Sequence, residues 1–461
     1  MKALFPKQRT AADFFIDVLG QGKSTMDTSS VGTGKTVVAS YIAKTLLSKK
    51  EYYPNPHFSE PFTKGVKPPK ITKIKNIFTN VAVICPKAVI PAWERELEEF
   101  GVTPLFVINY EKIRTGNTKF LSKKGKKIMK WELPENTLIL MDEIHKAKGP
   151  YTQNAQLLIS LICQGFQVHG MSATACEDPT EMRAIGYMLG LHSLNKSEGG
   201  KRSWYSWMLS NGCMQDQWKT WKIMSRKKLK PLREKLYSET TYKLTIEDFP
   251  DSFRNNRVFV EPIEFSAPKK IIKAYDDLGI TPDIVEEFID KGTVEDSDFN
   301  IVNIIKARML AESYKVLDLV DMAKDYVSQG YSVVVFLNYK DSIDAFCAKI
   351  DCGSIEGGQT TAERQLVIDH FQSDKTRVLA VNIMAGGTGL SLHDTQGKHP
   401  RVSLISPSFS AKNHLQVLGR IHRNGAKSDA LQKILVAANS VEEKVMQSID
   451  KKIKNLKTLH G

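Results

Sequence analysis

Two short stretches hold residue types that could act on a phosphate chain. The first is SSVGTGKT, Ser29 to Thr36. A lysine and a hydroxyl residue directly after a glycine-rich turn suit an anion cradle. Backbone N–H groups wrap the phosphates, Lys35 reaches the β and γ groups, and the Thr36 hydroxyl ligates Mg²⁺. Gly32 and Gly34 supply the tight backbone, and Ser29 stands where the common form of this loop has its first glycine. The run VVASYIAKTLL follows at once with helical spacing, so the loop is expected at a helix N-terminus, where anions bind well. The second stretch is LILMDEIH, Leu138 to His145. An apolar strand ending in two acids puts both carboxylates at the end of a sheet where open α/β folds hold ligands. Asp142 is then placed to hold Mg²⁺ through water, and Glu143 to orient and deprotonate an attacking water. The competing reading is a solvated acid pair opening the next helix, where acids suit the helix dipole. An upstream phosphate loop disfavours it.

These residues need elements to position them. VAVIC (81–85), TLILM (137–141), QVHGMS (167–172), SVVVFL (332–337), RVLAVNI (377–383), RVSLI (401–405) and KILVA (433–437) read as buried parallel strands. Helix-period segments alternate with them, so the fold class is α/β, with two tandem parallel-sheet lobes. The pattern breaks in a basic, Trp-rich middle segment. The expected divisions are 1–195, 196–256 and 257–461.

A net charge of +14 over 461 residues favours a polyanionic partner. Six cysteines show neither a C-x-x-C pair nor zinc-ligand spacing, which predicts a reduced intracellular protein without structural metal. With no apolar run of 18 residues and no signal-peptide core at the N-terminus, the expectation is a soluble, cytoplasmic chain with no membrane partner.

In order along the chain, SSVGTGKT, DEIH, SAT (172–174) and QVLGRIHR (416–423) resemble motifs I, II, III and VI of superfamily 2 helicases. VICPKAVIPAWERELEEF, INYEKI, GGQTTAERQLVIDHFQSD, AGGTGLSLHD and NSVEEKVMQSIDKK are similar to the Swi/Snf-type translocase branch. The chain's brevity is most like that of phage-encoded branch-migration helicases, which would place it in a bacterial host cytoplasm. SATA stands where Swi/Snf-type members usually read G-T-P, which weakens any inference about chromatin substrates.

This resemblance implies two RecA-like lobes using ATP and Mg²⁺. It implies that Gln8 hydrogen-bonds the adenine edge, a surface glutamine being the alternative. His145, Ser172, Thr174, Gly387 and Gly389 would couple nucleotide state to movement. Arg423 would be an arginine finger, with Arg420 as its partner and Gln416 nearby. The i and i+3 spacing of the two arginines predicts one helical face carrying both.

Three basic stretches could meet a polyanion. Residues 49–75 carry seven Lys and two Glu, and 112–130 carry eight basic residues and no acid. Residues 201–235 carry ten basic residues and two acids interleaved with tryptophans. There Trp204, Trp207, Lys227 and Lys228 are candidate nucleic-acid contacts, since aromatics among cations suit stacking on unpaired bases. The alternative is a Trp cluster facing the core. The expected activity is that of a monomeric ATP-dependent DNA helicase, translocating on, unwinding and branch-migrating forked or junction DNA in replication, recombination or repair. A duplex translocase that strips proteins, and an ATP-gated clamp, are the alternatives. RNA is a weaker candidate than DNA.

Overall fold

The computed structural model describes the chain except residues 1–2, 49–50, 53–73, 76–77, 117, 125–127, 174, 177–178, 195–202, 218–220, 250–251, 292–300, 387–389 and 461. The chain divides into two compact units, Met1–Asp248 with Asn455–Gly461, and Phe249–Lys454.

The main sheet of the first unit is built from β1 (Thr25–Asp27), β2 (Asn80–Cys85), β3 (Val107–Asn109), β4 (Thr137–Asp142), β5 (Val168–Met171) and β6 (Thr241–Tyr242). They form one sheet in the order β6-β1-β5-β4-β2-β3, with every pairing parallel. The apolar, β-branched runs of β2 and β4 are buried almost throughout, as a sheet covered on both faces demands. Helices α1 (Pro6–Gly20), α2 (Lys35–Ser48) and α3 (Ile90–Glu99) flank the site described below.

The second unit repeats this plan with β7 (Asn256–Ile263), β8 (Ser332–Leu337), β9 (Gly353–Ile355), β10 (Val378–Asn382), β11 (Arg401–Ile405) and β12 (Ala430–Ala437). The order is β7-β12-β11-β8-β10-β9, again all parallel. The fold class is therefore the expected one, two tandem RecA-like α/β lobes.

The middle segment is not a separate connector over its described residues. β6 pairs with β1, so the chain up to Asp248 is part of the first unit. Helix α4 (Trp204–Ser210) starts at Ser203, whose hydroxyl accepts from Ser206 N at 3.3 Å. Its i, i+3, i+4 face buries Trp204, Trp207 and Met208 in the same core as Leu229, Leu232 and Leu236. Trp204 and Trp207 are 4% and 8% exposed, which corrects the expectation that their rings stack on bases. Lys227 and Lys228 stay exposed.

Cys347 and Cys352 are joined in a disulfide, which departs from the expectation of a fully reduced chain, while Cys85, Cys163, Cys176 and Cys213 take part in no disulfide. Among the described residues no helix is long and apolar enough to cross a membrane.

Candidate nucleotide-hydrolysis site

β1 delivers the chain into the glycine-rich loop, and α2 begins at Lys35. Gly32 and Gly34 have φ of 88° and 91°, the left-handed region where a side chain is strained. At Gly34 space forbids one too, since a Cβ there would stand 2.5 Å from Gln8 Nε2. Gln8 is buried at the start of α1, donates from Nε2 to the Thr33 carbonyl at 2.8 Å, and accepts from Phe5 N at 3.1 Å. Its amide thus braces the loop from outside the motif. Lys35 turns back over the loop, donating to the carbonyls of Ser29 at 2.7 Å and Ser30 at 3.0 Å. Thr36 follows, half-buried in the first turn of α2.

β6 and the chain after it lace this loop in place. Thr28 N donates to Tyr242 O at 3.0 Å, Ser30 N to Leu244 O at 2.9 Å, and Leu244 N to Ser29 Oγ at 2.8 Å. The serine that replaces the usual first glycine therefore supplies an acceptor a glycine would lack. Asp27 accepts from Ser29 N at 2.8 Å, and burial raises its pKa against the opposing charge of Lys35.

β4 brings in the acid pair. Burial, then the neighbouring Glu143 charge, pushes the Asp142 carboxyl up to about 6, with Trp93 and Lys35 pulling the other way. Asp142 Oδ2 accepts from Trp93 Nε1 on α3 at 3.0 Å, and Oδ1 accepts from Glu143 N at 2.9 Å. Tyr110 OH donates to the Asp142 carbonyl at 2.7 Å. Glu143 itself has φ 54°, a left-handed conformation uncommon for a non-glycine and typical of functional turns. The strand ends there, and the acid does not open a regular α-helix.

Glu143 Oε2 lies 3.0 Å from His145 Nδ1, and that nitrogen lies 2.8 Å from Ser172 Oγ. Ser172 N in turn donates to Asp27 O at 2.9 Å. The structure thus brings Lys35, at the start of α2, together with Asp142, Glu143, His145 and Ser172 at the ends of β4 and β5. Thr174, Gly387 and Gly389 lie outside the described residues. Sequence reasoning missed Asp27, Trp93, Tyr110 and the bracing strand β6.

In the second unit Gln416 and Arg420 are buried on α5 (Ala411–Ile421). The helix ends before Arg423, which corrects the expectation of one helical face bearing both arginines. The last-turn carbonyl of Arg420 is taken by Leu392 N at 2.9 Å, His422 is extended, and Gly425 turns left-handed at φ 86°. The two guanidiniums still act on each other. Burial, then Arg420, depresses Arg423 to about 9. Arg423 donates to Gly419 O at 3.0 Å and to Ser391 Oγ at 2.8 Å, and Arg420 to Leu390 O at 3.3 Å.

A phosphate loop and a strand-end acid pair on a parallel sheet, followed by a second parallel-sheet lobe, define a P-loop nucleoside triphosphatase. Residues 315–425 match the helicase conserved C-terminal domain. Along 99% of its length the chain is 29% identical to an Acanthamoeba polyphaga mimivirus protein named "Putative ATP-dependent RNA helicase L364", covering 83% of it. It is 27% identical over 34% of its length to the chromatin remodeling factor mit1 of Schizosaccharomyces pombe, and 28% identical over 30% to the DNA repair and recombination protein RAD54-like of Drosophila mojavensis. Those two matches cover only 11% and 18% of the longer proteins. The SWI2/SNF2 ATPase core of Sulfolobus solfataricus, solved in complex with dsDNA, aligns over all of this chain and 93% of that one, at 14% identity and a TM-score of 0.37. With the phosphate loop in one unit and a helicase conserved C-terminal domain matched in the other, the chain is an ATP-hydrolysing enzyme.

Proposed function

We propose that this chain is an ATP-driven DNA motor that translocates on, unwinds and branch-migrates forked or junction DNA. One linkage carries the reading. The acid placed to act on water, Glu143, is joined through His145 to Ser172, and Ser172 is bonded to the strand that leads into the phosphate loop. A change at the nucleotide thereby reaches Ser172 through Glu143 and His145 on one side and Asp27 on the other.

Lys35 and the loop N–H groups hold the phosphates, and the Lys35 amine exchanges its two carbonyl partners for phosphate oxygens. Gln8, held against the loop through the Thr33 carbonyl, is the residue assigned to the adenine edge. Thr36 and Asp142 would hold Mg²⁺, one through a hydroxyl and one through a half-buried carboxylate at a strand end, and the ion when bound would supply neutralisation of the β and γ oxygens. Glu143 takes a proton from the attacking water, and His145 holds that carboxylate in place. Arg420 and Arg423 offset charge developing on the transferred group.

The names of the yeast and fly relatives and the +14 charge support DNA as the track. The mimivirus relative's name favours a second reading, in which the track is RNA. Strand separation measured on forked DNA, four-way junctions and matched RNA duplexes tests the proposal. DNA forks opened with ATP support it. A chain that opens only RNA duplexes establishes the second reading, and one that consumes ATP along duplex DNA without separating it is a translocase.

A further inference from the structure

β7 is the outer strand of the second unit's sheet, and among the described residues it pairs with β12 alone. Three consecutive large apolar side chains on it are open to solvent, Val258 at 41%, Phe259 at 49% and Val260 at 50%. A sheet edge with an exposed apolar run at its centre is what natural sheets avoid unless something pairs with it. The backbone parity shows which groups are free. Asn255 O accepts from Ala430 N, and Ile263 O from Ala438 N, so the odd-numbered residues turn their polar groups toward β12. The even ones, Asn256, Val258, Val260 and Pro262, turn theirs outward. Pro262 has no N–H, and it sits at an outward position, where that loss leaves the sheet intact.

We infer that β7 pairs antiparallel with β7 of a second copy, about a two-fold axis through Phe259, joining two sheets edge to edge. In that register Val258 faces the partner's Val260 as a doubly hydrogen-bonded pair, and Asn256 N–H meets the Pro262 carbonyl. The odd residues become the close, non-bonded pairs. Phe259 meets its own copy, and Arg257 meets the partner's Glu261 on each side of it. A strand reading R-V-F-V-E is self-complementary in charge only when reversed onto itself. Placed parallel and in register, it would set like charges opposite one another. Lys433 on the adjacent strand already holds Glu261 at 3.0 Å, which aims that carboxylate on the odd-residue face. So short an edge buries less surface than a permanent interface, so the association is a weak, concentration-dependent one. It departs from the monomer expected from the sequence, and it stands whether the track is DNA or RNA.

The test is light scattering behind size exclusion on the full, nuclease-treated chain, over about 1–100 µM. Dimer is expected to grow with concentration. Glu261→Arg, which sets like charges opposite each other twice, should weaken it at least ~10-fold in Kd, and Arg257→Glu with Glu261→Arg together should restore it. Thermal melts check that each variant is folded. A wild-type chain monomeric throughout, a Glu261→Arg dimer of unchanged Kd, or a folded double variant that stays monomeric would each overturn the pairing.

Discussion

Trp93 donates its indole N–H to Asp142 Oδ2 at 3.0 Å, from a ring that is 1% exposed. This bond favours the charged carboxylate, against a burial that holds the Asp142 pKa up to about 6. An acid with a raised pKa is neutral below it, and a neutral carboxyl is a poor ligand for Mg²⁺. The kcat/KM for ATP is therefore expected to fall on the acid side of pH 6, by about tenfold per unit. Trp93→Phe removes a stabiliser of the charged form, so that limb should move to higher pH. A pH profile of kcat/KM on a variant shown by melting to be folded decides it. An unmoved limb would detach Asp142 from the metal role.

Lys35→Ala is expected to abolish hydrolysis. Glu143→Gln should keep ATP binding and lose turnover by ~10²–10⁴-fold, since the carboxylate acts on water and not on the phosphates. Fluorescent nucleotide titration beside a phosphate-release assay separates the two. Turnover near the wild-type rate in Glu143→Gln would show that another group takes the proton.

Ser172→Ala breaks the link between His145 and the strand carrying Asp27. ATPase without nucleic acid should stay close to wild type, while stimulation by nucleic acid drops roughly fivefold or more, a usual size for coupling between sites. Equal losses in both rates would make Ser172 part of the hydrolytic machinery instead.

Arg423→Ala should bind ATP within about tenfold of wild type and lose at least ~10³ in kcat, because a guanidinium at the transferred group acts mainly on transition-state charge. An unchanged kcat places Arg423 outside the chemistry.

Trp207→Ala should destabilise the first unit by ~3–5 kcal/mol, the usual cost of emptying a buried aromatic site. A thermal melt reads this directly, and a melting temperature equal to wild type would contradict the core placement.

The long β-branched runs could be read as strands because burial on both faces leaves no polar alternation, and all seven appear in the sheets. β1 and β6 escaped notice because two or three residues carry no period. β7 was missed because its exposed polar ends hide an edge strand. At the site, the residues with motif spacing were recognisable, while their braces were not. Gln8 reaches the loop across 25 positions, and Leu244 reaches Ser29 across 215. No local pattern reports such contacts. The Trp-rich segment misled because cations interleaved with aromatics look alike on a stacking surface and on an amphipathic helix with its rings turned inward. The arginine pair misled because a tertiary bond from Leu392 to the Arg420 carbonyl ends the helix two residues before Arg423.

The central claim is that hydrolysis at Lys35, Asp142 and Glu143 is harnessed to a DNA track. The most direct measurement is steady-state ATP hydrolysis with no nucleic acid, with single-stranded, duplex and forked DNA, and with RNA at equal nucleotide concentration, using Glu143→Gln as the blank. The account predicts a rate raised about tenfold or more by DNA, within the range of coupling between distinct sites, and absent from the blank. Stimulation by RNA alone, or a rate indifferent to every nucleic acid, would contradict it.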